Sequence, residues 1–280
     1  MSLIDKSVGM LRPLQLRGKG RLLDLVTPHE GVRTVPVWGA YDMTLDLGNA
    51  IHRQIYMGCF GREMTVWTRA LLPNGGTFLD VGAHIGYFTL LASAIVGSAG
   101  KVIAVEPNPA AYASLTDHLT RNRTRNVEAH NIALAAERGS LRLYTPPEGT
   151  LKDYNVTMMS RPGWTPVDVE ALPLDGCLRE WDSSVIDVMK IDVEGAEPLV
   201  FRGGVELLRS GHVRHIIAEV NGPRLGEGGS SPEKLVAQLA ELGFKPARLQ
   251  RGGALPVPVE TWDLDSDHEF DRLFVHSSIL

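Results

Sequence analysis

A chain of 280 residues, 44% hydrophobic and 22% charged, has the length and balance of one sizeable globular domain with an appendage. Its formal net charge of −5 supplies no general attraction to nucleic acid or to an anionic membrane. Cys59 and Cys177 lack metal or disulfide spacing, the start has no basic-then-apolar leader, and no run reaches about 18 apolar residues; a cytoplasmic protein without a membrane span is expected.

Residues 1–50 read as an N-terminal arm or extension, irregular to about 33 and then a two-strand element over 35–47 that turns near Gly39. The main domain is expected over 51–280. Residues 51–72 carry apolar side chains at helical spacing, Val66, Ala70, Leu71 and Leu72 among them, until Pro73-Asn74-Gly75-Gly76 stops the pattern. The apolar run 77–81 suits a buried parallel strand; it breaks at Gly82-Ala83-His84-Ile85-Gly86 and resumes from Tyr87 as a packed helix. Strand, glycine turn and helix bring backbone N–H groups against a ligand. A second buried strand over 101–105 ends in Glu106-Pro107-Asn108-Pro109. An acid about twenty residues past a glycine turn is where nucleotide-binding α/β folds accept the hydrogen bonds of a ribose diol. Asn108 and Pro109 supply a cap and a first residue for a helix to about Arg121. The cations Arg121, Arg123 and Arg125 read as a solvated helix end before they read as a phosphate site.

A third strand is expected over 126–134 and an alternating edge strand over 139–145. Residues 146–166, with four prolines, Met158-Met159 and Trp164, are too polar for core and too long for a turn, so they are either a lid or a disordered insertion. Residues 169–181 lead into a fourth strand, 185–191, which runs into Asp192-Val193-Glu194-Gly195-Ala196-Glu197. A helix to about Ser210, a fifth strand over 213–220 containing Glu219, a Ser231-capped helix to Leu242, and strands over 244–249 and 272–276 complete the chain. Alternating strands and helices with a closing strand pair predict an α/β, doubly wound sheet.

Three segments, Asp80-Val81-Gly82-Ala83-His84-Ile85-Gly86, Glu106-Pro107-Asn108-Pro109 and Lys190 to Glu197, together resemble class I methyltransferases that use S-adenosylmethionine, and more closely the FkbM family. The likeness covers about residues 51–220 and implies a Rossmann-like, seven-stranded sheet. It also implies a cofactor site of Glu63, Asp80, Gly82, Ala83, His84, Gly86, Glu106, Pro107 and Asn108, with Asn131, Ile132 and Ala133 edging the adenine. Asp192 would orient the donor ammonium, Glu194 would take the acceptor's proton and Glu219 would support them as a third catalytic acid. Asn155 matches an asparagine that such chains often carry in the loop at 146–166. Plainer readings stand beside these. Glu63 also suits an exposed helix face, residues 131–133 an ordinary strand end, and Glu197 a helix N-terminus. His84, where asparagine is usual, suits a strained backbone as well as catalysis. No metal ligands are expected, although Asp192, Glu219 and Asn221 form a rival oxygen set for Mg²⁺.

Asp80, Glu106, Asp192, Glu194 and Glu219 all fall at the C-terminal edge of predicted parallel strands, where they repel one another unless a cation faces them. A donor bearing an ammonium, a sulfonium and a ribose diol offsets that repulsion. The resulting expectation is an O-methyltransferase acting on a hydroxyl or carboxyl of a small-molecule natural product, sugar or lipid. The alternatives are a nicotinamide-dependent oxidoreductase and a non-catalytic module of the same fold. Against the first of these, the turn reads Gly-x-x-x-Gly rather than Gly-x-Gly-x-x-Gly. The expected partner is a small-molecule acceptor, with no nucleic acid and no membrane span; a homo-oligomer stays open.

Overall fold

The computed structural model describes residues 8, 19–146, 156–181, 185–249, 256–259 and 269–280. Helix α1 (Lys19–Asp24) precedes a hairpin of β1 (Val32–Val37) and β2 (Tyr41–Asp46), which turns at Trp38 and Gly39, both with positive φ. Alternation along the hairpin buries Val35, Val37, Met43 and Leu45 in the same core as Phe78 and Leu91, so the arm is packed onto the sheet.

Residues expected as one helix over 51–72 form two, α2 (Ala50–Met57) and α3 (Arg62–Leu71). Gly58, at φ 65°, ends the first: its N–H goes to Ile55 O and that of Cys59 to Gln54 O, a left-handed cap that a glycine adopts without steric cost. The apolar spacing continues through both helices and hides the break.

The main sheet is built from β3 (Thr77–Val81), β4 (Lys101–Val105) and β5 (Val127–His130), linked by α4 (Tyr87–Val96) and α5 (Pro109–Arg121). Asn108 caps α5 through Oδ1 to the Ala110 N–H at 3.0 Å, with Pro109 at the first helical position. The strand expected over 126–134 divides at Asn131. The Asn131 amide donates to Glu106 O (2.8 Å) and Pro107 O (3.1 Å), and the chain leaves the main sheet. It enters a separate three-stranded sheet of β6 (Ala133–Leu134), β7 (Gly139–Thr145) and β8 (Thr165–Leu172), ordered β6-β8-β7. The expected edge strand therefore borders this smaller sheet, and 169–181 holds the end of β8 and α6 (Leu174–Glu180).

The chain returns with β9 (Ile186–Ile191), whose six residues are all buried, then α7 (Glu197–Arg202), α8 (Val205–Arg209) and β10 (Val213–Asn221). After α9 (Gly222–Glu227) and α10 (Pro232–Glu241) come β11 (Phe244–Leu249), β12 (Pro256–Pro258) and β13 (Glu269–His276). The order is β12-β11-β13-β10-β9-β3-β4-β5, parallel from β10 through β5 and antiparallel for β10-β13-β11-β12. The seven expected strands are present, and β12 adds a three-residue eighth at the edge. Continuous apolar runs in β3, β4 and β9 follow from helices covering both faces.

The helix expected to reach Ser210 splits at Gly203-Gly204 because α7 packs its end onto the smaller sheet. A Cβ at Gly203 would lie 1.9 Å from Ala135 O, a backbone atom with nowhere to move. Gly203→Ala should therefore lower the unfolding free energy by about 1–3 kcal/mol or more in urea titration. A change of less than about 0.5 kcal/mol, the usual surface value, would contradict this packing.

Candidate active site

The strands β3, β4 and β9 deliver their C-terminal residues to one cleft, as parallel strands do. Its foundation is the turn after β3. The Gly82 and Ala83 N–H groups both donate to Val105 O, at 2.9 and 3.0 Å, which folds the turn onto β4. A Cβ on Gly82 would stand 1.9 Å from Asp192 O, so only glycine lets the turn and the end of β9 touch. His84 follows with φ 53°, in the left-handed region that asparagine and histidine tolerate better than most residues.

The hairpin steadies this turn through His118 on α5. The Thr44 N–H donates to His118 Nε2 (3.0 Å), so Nδ1 carries the proton and donates to Ile85 O (2.8 Å). Burial holds His118 below its ordinary pKa and keeps that neutral form. His52 stands behind His84, with 6.1 Å between ring centroids, and its Nδ1 accepts from the Asp46 N–H at 3.1 Å. Burial, then the neighbouring His52 and Lys190, push the His84 pKa down to about 3, so its imidazole is neutral at ordinary pH.

Glu106 is 5% exposed and lies at the cleft wall. One carboxylate oxygen accepts the His84 N–H (2.7 Å) and the other the Asn108 N–H (2.8 Å). Each oxygen keeps a further lone pair, enough to receive both hydroxyls of a diol. Burial pushes its pKa up to about 7, with Asp80 adding to the rise and the two N–H bonds and Lys190 opposing it. Between about 4.5 and 7 the folded state therefore holds more of this proton than the unfolded chain, and the contribution of Glu106 to stability falls as pH rises through that window.

Lys190 is the residue that the motif reading left without a role. It sits on β9 with its side chain 3% exposed and donates to Gly82 O at 2.6 Å. Its Nζ is 3.5 Å from Asp80 Oδ1 and 3.6 Å from Asp192 Oδ2. Burial lowers its pKa, but Asp192, Asp80, Glu219 and Glu106 together outweigh burial and the net shift is upward. A lysine inside a wholly buried parallel strand was the available signal, because such a cation persists only among anions.

The turn from Asp192 to Glu197 is held from below. Glu197 is 1% exposed, and its Oε1 accepts the Val193 N–H (3.1 Å) and, more weakly, the Gly195 N–H (3.4 Å), while burial pushes its pKa up to about 7. It begins α7, as the helix-start reading expected, and also shapes the preceding turn. Glu194 adopts φ 55° and meets Arg224 Nε at 3.2 Å; Arg224 reaches Glu227 (3.3 Å), and Glu227 reaches Arg161 of the segment before β8 (3.2 Å).

The cleft encloses about 1070 Å³, including its open mouth. Of the residues expected to form the site, Gly82, Ala83, His84, Glu106, Pro107, Ala133, Asp192 and Glu194 line it together. Others act from behind. Asp80 is wholly buried and accepts the Thr89 hydroxyl at 2.6 Å, Asn108 orients Glu106, Asn131 ties down the turn after β4, and Ile132 packs into the core. Gly86 starts α4, outside the lining. Glu219 is half-buried near Lys190 and also outside the lining. Glu63 is a correction: it is exposed on the first turn of α3, and the opposite charge it acts on is Arg272 rather than a cleft group. Asn221 Oδ1 caps α9 through the Arg224 N–H (3.2 Å).

Further lining residues had no motif to announce them. Ile51, Ile55 and Phe60 come from α2 and the link after it, and Tyr87 and Phe88 from α4. Leu141 and Leu143 of β7 join Val156, Thr157 and Met158 on the other side. Thr157 exchanges backbone bonds with Tyr144 (2.8 and 3.2 Å), which stitches the 146–166 segment to β7 at that point. Asn155 lies outside the described residues.

A family model described as the methyltransferase FkbM domain matches residues 80–246, well over half of the chain. Methyltransferase sdnD of Sordaria araneosa is 32% identical over 207 residues, covering 64% of this chain and 77% of that protein. Methyltransferase 1 of Beauveria bassiana (strain ARSEF 2860) is 28% identical over 170 residues, 55% of this chain and 66% of that one. Among solved structures, an FkbM methyltransferase from Methylobacillus flagellatus KT aligns with a TM-score of 0.45 at 11% identity, over 81% of this chain and 53% of that chain. The chain belongs to the FkbM methyltransferase family, and its methyl donor is S-adenosylmethionine.

Proposed function

We propose that the protein is an O-methyltransferase of a small-molecule acceptor, and that the cleft holds the donor between Glu106 and Asp192. The observation that carries this reading is the Glu106 carboxylate, buried at the end of β4 with one N–H on each oxygen and a free lone pair on each. That acceptor pair suits a ribose diol, and the apolar faces of Pro107, Ala133 and Leu134 beside it suit a purine ring. Asp192, at the mouth of β9 beside Lys190, is the acid for the donor ammonium. The residues present thus fit the cofactor. When bound, it supplies an electrophilic methyl group on a positively charged sulfur.

The remaining work falls to the chain itself. The turn from Gly82 to His84, braced by Val105 O and His118, fixes the floor, while Leu141, Leu143, Val156 and Met158 exclude water from above. Glu194 lines the cleft with Arg224 holding its carboxylate, and it is the group we assign to the acceptor's proton. Glu219 supports the site through its charge on Lys190. The boundary of the catalytic unit at about residue 51, with 1–50 as an extension, and a covering role for 146–166 belong to the same proposal. A fungal biosynthetic setting is favoured by the two fungal relatives.

Two measurements follow. Calorimetric affinity for S-adenosylmethionine should rise with pH and level off above about 7, because deprotonation of Glu106 restores the oxygen that its proton occupies. Glu106→Gln should flatten that profile and weaken binding by about tenfold to a hundredfold, as expected for charge-assisted bonds. A wild-type affinity that ignores pH across 5.5–8.5 would count against Glu106 as the ribose acid. Glu194→Gln should lower turnover by about a hundredfold while donor binding stays nearly unchanged. Near-normal turnover would remove Glu194 from proton transfer.

A further inference from the structure

Parts of the cleft wall differ in chemistry. Glu106, Pro107 and Ala133 form one part, with Glu106 leaving β4 beside β5. Another part is aromatic. Phe60, Tyr87 and Phe88 are mutually in contact, with ring centroids 5.3 to 6.0 Å apart, and Ile51 and Ile55 of α2 continue the same wall. This wall stands near β9, since Lys190 Nζ is 5.8 Å from the Phe88 ring and α3, which follows Phe60, packs on β9, β10 and β13. Gly61 lets the link sit so close: a Cβ there would be 2.4 Å from the Phe88 ring.

Charge adds a second constraint. Asp192, Glu194 and Glu106 line the cleft, Asp80 and Glu219 stand behind it, and Lys190 and Arg224 are already engaged by acids. His84 lines the same cleft, and it carries no charge in its buried, neutral form. Among the described residues that line the cleft or stand behind it, no cation is left to receive an anionic acceptor, which would enter a negative field. A bare polyol would leave the wall's apolar surface in contact with its hydroxyls, without partners for them.

We infer that the acceptor is an uncharged molecule with an apolar, ring-bearing body beside its reacting hydroxyl, and that Ile51, Ile55 and Phe60 select it. This rests on the donor placement proposed above and narrows it, setting aside carboxylates and free sugars. Ile51, Ile55 and Phe60 lie before residue 80, outside the segment that the family model matches, so this selectivity belongs to the chain's own N-terminal portion.

Binding of three probes, measured by calorimetry in the presence of S-adenosylhomocysteine, separates the outcomes without requiring turnover. The probes are 2-naphthol, 2-naphthoate with the same rings and a carboxylate, and methyl glucoside. The inference expects 2-naphthol to bind at least tenfold more tightly than either of the others. Phe60→Ala should weaken 2-naphthol at least tenfold with S-adenosylhomocysteine affinity unchanged. Ile51→Ala serves as the second variant should Phe60→Ala fold poorly, and it should weaken 2-naphthol severalfold. Equal or tighter binding of 2-naphthoate or methyl glucoside, no binding of 2-naphthol, or an unchanged affinity in the variants would overturn it. Failure of S-adenosylhomocysteine itself to bind would sink the donor placement instead.

Discussion

A single lysine inside the sheet conditions everything around it. Lys190 lies on the fully buried β9, within 3.5 Å of Asp80 and 3.6 Å of Asp192, and it donates to the carbonyl of Gly82. Three parts of the site meet at that one ammonium: the strand before the glycine turn, the turn itself and the acid after β9. Charges of this kind are costly to bury singly and tolerable only as a set. The expectation that several rim acids require a cationic ligand is therefore only part of the account, because the protein carries its own counter-ion. The acids around Lys190 still outnumber it. Glu106, with its pKa near 7, gains its full charge only above neutrality. The negative bias that remains suits a donor with a cationic sulfur.

Much of this was readable in the sequence because the motifs encode backbone contacts. Gly82 is glycine since Asp192 O occupies the place of a Cβ, and Asn108-Pro109 is a helix start since one caps and the other fits the first turn. Such local rules survive without coordinates. What could not be read was which acids face the ligand. Asp80 and Glu106 both end buried parallel strands, yet Asp80 is sealed against Thr89 and Lys190 while Glu106 opens to the cleft. That difference depends on strand register and on helices far away in sequence. Glu63 shows the same limit, since a motif position on a helix face settles neither the helix's rotation nor the length of the link before it. The break at Gly58 puts Glu63 on the first turn of a second helix.

The parts of the chain without motifs close the site. The hairpin reaches the glycine turn through Thr44 and His118, and α2 with its link forms the aromatic wall. On the other side, Thr157 ties the segment before β8 to β7, and Arg161 reaches Glu227, one residue pair away from the Arg224 that holds Glu194. The Rossmann-like sheet thus supplies one part of the cleft. The N-terminal segment and the smaller sheet supply the rest, and they account for the apolar lining residues that no motif announced.

The most direct test of Lys190 as the internal counter-ion is a double-mutant cycle in urea unfolding. Lys190→Met alone leaves Asp80 buried without its cation and should lower the unfolding free energy by about 3–5 kcal/mol. Adding Asp80→Asn, which removes the stranded charge while keeping an acceptor for Thr89, should recover a large part of that loss, a coupling of more than about 1 kcal/mol. A Lys190→Met protein as stable as the wild type, or a double variant with no recovery, would contradict the account.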